Sequence, residues 1–412
     1  MPDELIVSVD INGRTIPAGT AYFTHRGSLA TSFQYNADYL RTPGAYELDP
    51  ALPLYQGQHH VSGLPGAFAD CAPDRWGQNL VKRRRQVLDQ TNKSMPRALT
   101  PVDYLVGVSD LTRQGALRFA EPDTGEFLDP DPAVPKLIEL PSLLRASDHL
   151  ARDDADFSDL KLLLAAGTAT LGGARPKASV RDEDRLCIAK FPHHADSWDV
   201  MAWEKTALDL AEAAGIATPA RALRRIDGRG VLILDRFDRA HGQRIGYISA
   251  MTMLQARDGQ GHDYLDLAEA LPEHSAQTNS DLRALWRRIA FSVAIHNTDD
   301  HLRNHGFLHH PGGWQLAPIF DVNPNPEITE HRTTSIAGVT ARADELEALM
   351  AAADAFGLTS NDATAALSEV LAATATWAQT SAANGISTAE RTRFAPAFEG
   401  LRPAMETAVR HI

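Results

Sequence analysis

The sequence predicts an α+β fold: a β-rich N-terminal domain, then a smaller strand-bearing region, then a mainly helical C-terminal lobe. Three observations lead there. The run Leu5-Ile6-Val7-Ser8-Val9 leads into Asn12-Gly13, a strong two-residue hairpin signal. Around residues 177–191, two short apolar stretches flank a polar turn. Beyond Asp281 the apolar residues recur at helical spacing.

In chain order, a second apolar stretch at 29–35 extends the opening hairpin, and helical patterning follows at 75–88 and 102–108. Pro122, Pro130, Pro132 and Pro135, spaced among acidic residues, mark a linker. The expected division is an accessory domain at 1–120, the linker at 121–141, a strand-bearing lobe at 142–238 and a helical lobe at 239–412. Within the second lobe, Lys177-Ala178-Ser179-Val180 and Leu186-Cys187-Ile188-Ala189-Lys190-Phe191 read as a hairpin closed by Arg181-Asp182-Glu183-Asp184. A helix over 198–214 stops at Gly215, a good C-terminal cap, and Val231-Leu232-Ile233-Leu234 is a buried strand. Leu282, Leu285, Trp286, Ile289 and Val293 form one buried helical face. The Ala-rich last seventy residues read as helical, broken near Gly357 and Gly385.

A length of 412 residues exceeds what one hydrophobic core usually serves. Hydrophobic residues at 43% and charged residues at 23% are those of an ordinary globular protein, and the chain has no apolar run of roughly 18 residues to span a membrane. The acidic start, Met1-Pro2-Asp3-Glu4-Leu5, lacks the layout of a signal peptide, and Cys71 and Cys187 suggest no disulfide framework. A cytoplasmic protein is expected. The net charge of −13 argues against autonomous nucleic-acid binding. The one basic run, Lys82-Arg83-Arg84-Arg85, reads as a solvated helix face, with an acidic-partner or phosphate contact as the alternative.

The chemistry concentrates in His296-Asn297-Thr298-Asp299-Asp300-His301-Leu302-Arg303-Asn304. Four residues separate Asp299 from Asn304, the spacing of a kinase catalytic loop, and Asp321 follows 17 positions later, after an apolar stretch expected to be a strand. In such loops the Asp handles the substrate hydroxyl, while the Asn and the later Asp bind Mg²⁺ through oxygen. Two other readings fit the same residues: a polar helix terminus with capping aspartates, or a hydrolase metal site from His296, Asp299, Asp300, His301 and His305. Lys190 shares a strand face with Leu186 and Ile188, so its ammonium needs an anion or a route to solvent. ATP phosphates are one such anion. Glu204 is the only charge in the helical stripe Val200, Glu204, Ala207, Leu208 and Ala211, which makes it a candidate partner for Lys190 or an edge residue facing water. Gly172, Gly173, Ala174, Arg175 and Lys177 precede the hairpin; glycines allow close backbone approach to phosphate, and the two cations add charge. An ordinary Gly-Gly turn is the alternative.

Together these residues resemble the HipA family of bacterial serine/threonine kinases, the toxins of toxin–antitoxin modules. The resemblance rests on Gly173-Ala174-Arg175-Pro176-Lys177, Ala189-Lys190-Phe191-Pro192, Trp203-Glu204, Leu234-Asp235-Arg236-Phe237-Asp238-Arg239, Thr298-Asp299-Asp300-His301 with Asn304, and Phe320-Asp321-Val322. Asp74-Arg75-Trp76 and Gly115-Ala116-Leu117-Arg118-Phe119 resemble the family's N-terminal domain. It implies a bilobed protein-kinase-like fold, ATP and Mg²⁺ as cofactors, Asp299 as catalytic residue with His301 beside the phosphates, and Asn304 and Asp321 as magnesium ligands. Lys190 would bind ATP, and Asp235, Arg236 and Phe237 would form the hinge near adenine. Where the family often carries an autophosphorylated Ser, this chain has Thr170, with Thr168 nearby. The implied substrate is a cellular protein, by family analogy an aminoacyl-tRNA synthetase. The implied partner is a helix-turn-helix antitoxin through which any DNA association would pass, with no role for a membrane. A small-molecule phosphotransferase of aminoglycoside-kinase type and a catalytically quiet co-repressor are the competing functions.

Overall fold

The computed structural model describes residues 3–93, 95, 97–128, 134–167 and 175–410. They are helices and mainly antiparallel strands, the α+β class expected, in two compact units. The first comprises Met1–Ala195 and Ile226–Ile248, the second Asp196–Arg225 and Ser249–Ile412. Among the described residues no helix is long and apolar enough to cross a membrane.

The first unit opens with a five-stranded antiparallel sheet ordered Gln58–Ser62, Ser28–Tyr35, Arg14–Arg26, Glu4–Ile11 and Leu117–Ala120. Asn12 and Gly13 have φ of 50° and 75°, the left-handed pair that a tight hairpin turn matching strand twist requires. On Ser28–Tyr35, Leu29, Thr31, Phe33 and Tyr35 point inward and their neighbours outward. The helix Arg75–Asn92 follows, capped by Asp74, whose carboxylate accepts from the Gly77 amide at 2.9 Å. Its basic run is partly neutralised: Arg83 pairs with Asp153, and Arg85 with Asp89 at 2.8 Å.

The expected hairpin forms between Lys177–Asp182 and Arg185–Lys190, with Glu183 in the turn at a φ of 54°, and Arg229–Asp235 pairs with its second strand. One face of these strands, from Ala178, Val180, Cys187, Ala189, Val231 and Ile233, packs into a core with Trp76, Leu80, Leu143 and Leu163. The other face carries Lys177, Ser179, Ile188 and Lys190, with Phe237 packed on Ile188.

The segment after Asp235 returns to the N-terminal sheet rather than opening the helical lobe at 239, and the reason is charge. Asp238 is fully buried and accepts from Arg236 Nη2 at 2.6 Å, Arg239 Nη1 at 2.8 Å and the Gly115 amide at 2.7 Å. Arg244 Nη2 lies 3.2 Å from Asp110 Oδ2. Burial alone would push the Asp238 carboxyl up, but Arg236 and Arg239 outweigh it and hold it well below the usual carboxylate range. Its stabilising contribution is therefore complete above the unfolded Asp pKa, about 4, and drains away as pH falls further. Asp238→Ala strands two buried guanidinium groups and is expected to cost about 3–5 kcal/mol, read as a lower urea midpoint at pH 7.

The second unit is helical around Thr278–Ala294, whose Leu285, Trp286, Ile289 and Val293 are completely buried. Of the closing helices Ser360–Thr374, Trp377–Ala383 and Thr388–Glu399, the first and last follow left-handed glycines at Gly357 and Gly385, as composition suggested. A hairpin, Gly306–His310 with Gly313–Leu316, stands between the catalytic-type loop and Asp321. The strand expected to run into Asp321 ends at Leu316 instead: Pro318 has no N–H to donate, and residues 317–320 are irregular, anchored by the Ile319 amide on the Ala217 carbonyl at 2.8 Å.

Candidate active site

The loop after Thr278–Ala294 is built by a helix end. His296 takes a φ of 54°; its amide donates to the Val293 carbonyl at 3.2 Å and the Asn297 amide to Ser292 at 2.9 Å. This is a Schellman-type stop with His in the place glycine usually holds. His296 Nε2 lies 3.2 Å from the Glu327 carbonyl oxygen, and the His296 carbonyl accepts from the Asn325 amide at 3.0 Å. Asn325 Nδ2 donates to Thr298 Oγ1 at 2.7 Å, so the loop is pinned before its functional residues begin.

The adjacent aspartates then diverge. Asp300 faces inward: Oδ2 accepts from the Tyr264 hydroxyl at 2.6 Å, and Oδ1 is 2.9 Å from His305 Nε2. Arg332 donates to the Tyr264 hydroxyl at 3.1 Å and pairs with buried Glu345 at 3.0 Å. Burial opposes ionisation of Asp300, but His305 foremost among its neighbours reverses this and holds the carboxyl below its ordinary range. Asp299 is more accessible. Burial raises its carboxyl above the usual value, His301 opposes, and Asp321 and Asp300 add to the rise.

Asn304 sits in the one-turn helix Leu302–Asn304, its amide donating to the His301 carbonyl at 2.8 Å. Its Nδ2 donates to the Asp299 carbonyl at 3.0 Å, which fixes the side-chain amide and aims Oδ1 the other way. Oδ1 is buried and has no hydrogen-bond partner among the described residues; the same holds for His301 Nδ1 and Asn323 Oδ1. A buried acceptor left unsatisfied costs roughly 1–3 kcal/mol, so it needs a physical account. A cation that takes oxygen ligands would supply one: Asn304 Oδ1 and the carboxylate of Asp321 are ligands of the kind Mg²⁺ takes, and it would need few from the protein where phosphates and water complete its shell. Asp321 itself has a φ of 55° and is half-buried.

The hydrolase alternative loses its ligands. His296 serves the helix end, His305 serves Asp300, and among the described residues no three His, Cys, Asp or Glu side chains converge to hold a metal.

In the first unit, Lys190 is 3% exposed and Lys177 2%, and they are directly opposed across the hairpin. The Lys177 ammonium is paired with Asp74. Arg175 is half-buried, whereas Gly172, Gly173, Ala174, Thr170 and Thr168 lie outside the described residues. Of the expected hinge, Asp235 accepts from Arg185 at 2.6 Å and from the Cys187 thiol at 3.4 Å. The Arg236 side chain is directed to Asp238 and the Thr112 carbonyl, because the buried carboxylate claims it. Phe237 remains on the Ile188 face. Glu204 is buried at 1% exposure and belongs to the second unit, Lys190 to the first.

Tyr264, Arg332 and Glu345 went unnoticed in the sequence. Tyr264 lies in a helical stripe with Leu267, Ala268 and Leu271 and reads as core, which it also is. Arg332 and Glu345 carry no spacing signal; only their full burial betrays them.

Residues 169–378 match the family model described as the HipA-like C-terminal domain, and residues 9–95 match the HipA N-terminal domain. The fold matches that of HipA from Shewanella oneidensis MR-1, solved with HipB and operator DNA, at a TM-score of 0.68 and 15% identity over 99% of each chain. The Helicobacter pylori proinflammatory kinase CtkA aligns at a TM-score of 0.46 and 15% identity, over 58% of this chain and 92% of its own. A Haemophilus influenzae protein provisionally named a kinase is 30% identical over 113 residues, 23% of this chain. That match spans 32% of the relative's length.

Proposed function

The chain belongs to the HipA family, and from that premise we propose that it is an ATP- and Mg²⁺-dependent kinase that phosphorylates a Ser or Thr of a cellular protein. The observation that carries this reading is the buried Oδ1 of Asn304, which has no donor among the described residues and is held in place by its own amide on the Asp299 carbonyl.

Each residue has a distinct task. Asn304 Oδ1 and the Asp321 carboxylate hold the metal. Bound Mg·ATP supplies the transferable phosphoryl group and the charge that neutralises its oxygens. Lys190, on a strand face with Ile188, against which Phe237 packs, would meet the phosphates as a buried cation. Asp299 orients the incoming hydroxyl and takes its proton. Asp300 holds the loop from behind through Tyr264 and His305.

A helix-turn-helix antitoxin is the proposed regulatory partner, in a cytoplasmic setting. The solved relative is bound to HipB and operator DNA, and a net charge of −13 favours reaching DNA through a partner. Calorimetric titration tests the nucleotide claim. Wild type should bind ATP with Mg²⁺, and Lys190→Ala should weaken binding at least tenfold with little change in melting temperature. A folded wild type that binds no Mg·ATP rules the reading out.

A further inference from the structure

Residues 297–301 belong to no helix or strand, so no backbone ladder orients Asp299. Its side chain leaves the backbone between two rigid peptide planes, and whatever fixes those planes aims the carboxylate. The plane before Asp299 carries the Thr298 carbonyl, which accepts from the Thr333 amide at 2.8 Å and from Thr333 Oγ1 at 3.1 Å. The plane after it carries the Asp299 carbonyl, which accepts from Asn304 Nδ2. One plane further on, the Asp300 carbonyl accepts from Thr334 Oγ1 at 2.7 Å. Two adjacent threonines thus hold the carbonyls that flank Asp299.

An element that positions another must itself be fixed, and the threonines stand on a hairpin that is. The Arg332 amide donates to the Thr340 carbonyl at 3.2 Å, and Ile336 and Val339 exchange two bonds of 2.9 Å. Between them Ala337 and Gly338 have φ of 50° and 81°, the left-handed pair of a tight turn. At the tip Asp263 accepts from the Ala337 amide at 3.1 Å, the Gly338 amide at 2.7 Å and Ser335 Oγ at 2.6 Å. The same carboxylate caps the helix Tyr264–His274 on the Leu265 amide at 2.9 Å. At the root the Arg332 side chain holds Glu345 and the Tyr264 hydroxyl. The hairpin is anchored at both ends, and the loop leans on its middle.

We propose that Thr333 and Thr334 are positioning residues for phosphoryl transfer: they fix the backbone around Asp299 so that its carboxylate stands at the incoming hydroxyl. This rests on Asp299 being the residue that takes the hydroxyl proton. Thr333 separates positioning from stability. Its side chain is exposed, so packing does not require it, and water can satisfy the Thr298 carbonyl in place of its hydroxyl. Water satisfies the acceptor without fixing its direction. Thr334 is buried at 1% exposure, so its hydroxyl has no such substitute. Slack at Asp299 is felt in the chemical step, which depends on the alignment of reacting atoms, and not in nucleotide binding.

The whole chain provides the test, with Mg·ATP affinity by calorimetry, thermal melting, and radiolabelled phosphoryl transfer at saturating ATP to casein and to water. Thr333→Val keeps the branched shape and removes the hydroxyl. Its transfer rate should fall at least about threefold, with Mg·ATP affinity within about twofold of wild type. Its melting temperature should stay within about 2 °C. Thr333→Ser returns the hydroxyl and should bring the rate back to within about twofold of wild type. Thr334→Val should lose about tenfold or more in rate, again with nucleotide affinity held, and Thr334→Ser should recover most of that loss. A smaller loss than about threefold in Thr333→Val overturns the proposal. So does a rate that falls only in step with ATP affinity or melting temperature, or one that serine does not restore. If Thr334→Val does not fold, the two Thr333 variants decide alone. A wild type that binds no Mg·ATP, or transfers to neither acceptor, removes the role of Asp299 and this proposal with it; an active wild type with discordant variants removes only this proposal.

Discussion

Asp299→Asn should lower phosphoryl transfer by about a thousandfold or more while leaving Mg·ATP affinity within about threefold of wild type. That is some 4 kcal/mol placed on the chemical step alone. The substitution keeps the shape of a side chain whose backbone carbonyl still receives Asn304 Nδ2, so the metal ligand remains aimed. It removes only the carboxylate that takes the proton. Asp300→Asn makes the contrast. Its carboxylate is locked between the Tyr264 hydroxyl and His305, so its loss should lower the melting temperature as well as turnover. Radiolabelled phosphate transfer and melting curves on both variants decide the matter. An active Asp299→Asn beside a stable, dead Asp300→Asn would put the catalytic carboxylate one residue later.

Asp321→Asn should weaken ATP binding in the presence of Mg²⁺ by roughly 10- to 100-fold and leave the metal-free affinity almost unchanged. The choice of Asn matters. Asp321 sits at a φ of 55°, a conformation that Asn tolerates well among L-residues, so backbone strain does not confound the loss of charge. Asn304→Ala should produce the same metal-dependent defect and also relieve the buried acceptor, so its melting temperature without metal should hold or rise. Equal ATP affinity with and without Mg²⁺ in wild type removes both residues from the metal site.

Much of this was legible in the sequence because it is written in local signals. Asn12-Gly13, Gly215, the Lys177–Lys190 hairpin and the apolar stripe of Thr278–Ala294 each specify their own geometry. The spacing of Asp299 to Asn304 is local as well, and the structure joins the two through Asn304 Nδ2 on the Asp299 carbonyl. What stayed hidden is long-range. The Asp238–Gly115 bond joins residues 123 apart, and the Arg332–Tyr264 bond residues 68 apart. No window of sequence relates them, and both satisfy buried charges or hydroxyls rather than a periodic pattern. Lys177 illustrates the same limit: the sequence places a cation beside a Gly-Gly, and nothing local relates it to Asp74, 103 residues earlier, which contacts its ammonium.

The return of residues 226–248 to the first unit dictates an order of events during synthesis. The N-terminal sheet and the hairpin are translated early, yet the carboxylate that accepts from the Gly115 amide arrives only with residue 238. A ribosome-bound chain halted before that point carries Gly115 without its acceptor and, in Asp110, a carboxylate still waiting for Arg244. Meanwhile Asp196–Arg225, already made, must wait unpaired for the helices of 249–412. Neither unit is one continuous stretch of the gene. Severing the chain at the Pro-rich segment therefore yields two incomplete pieces, and folding of this protein must finish late and as a whole.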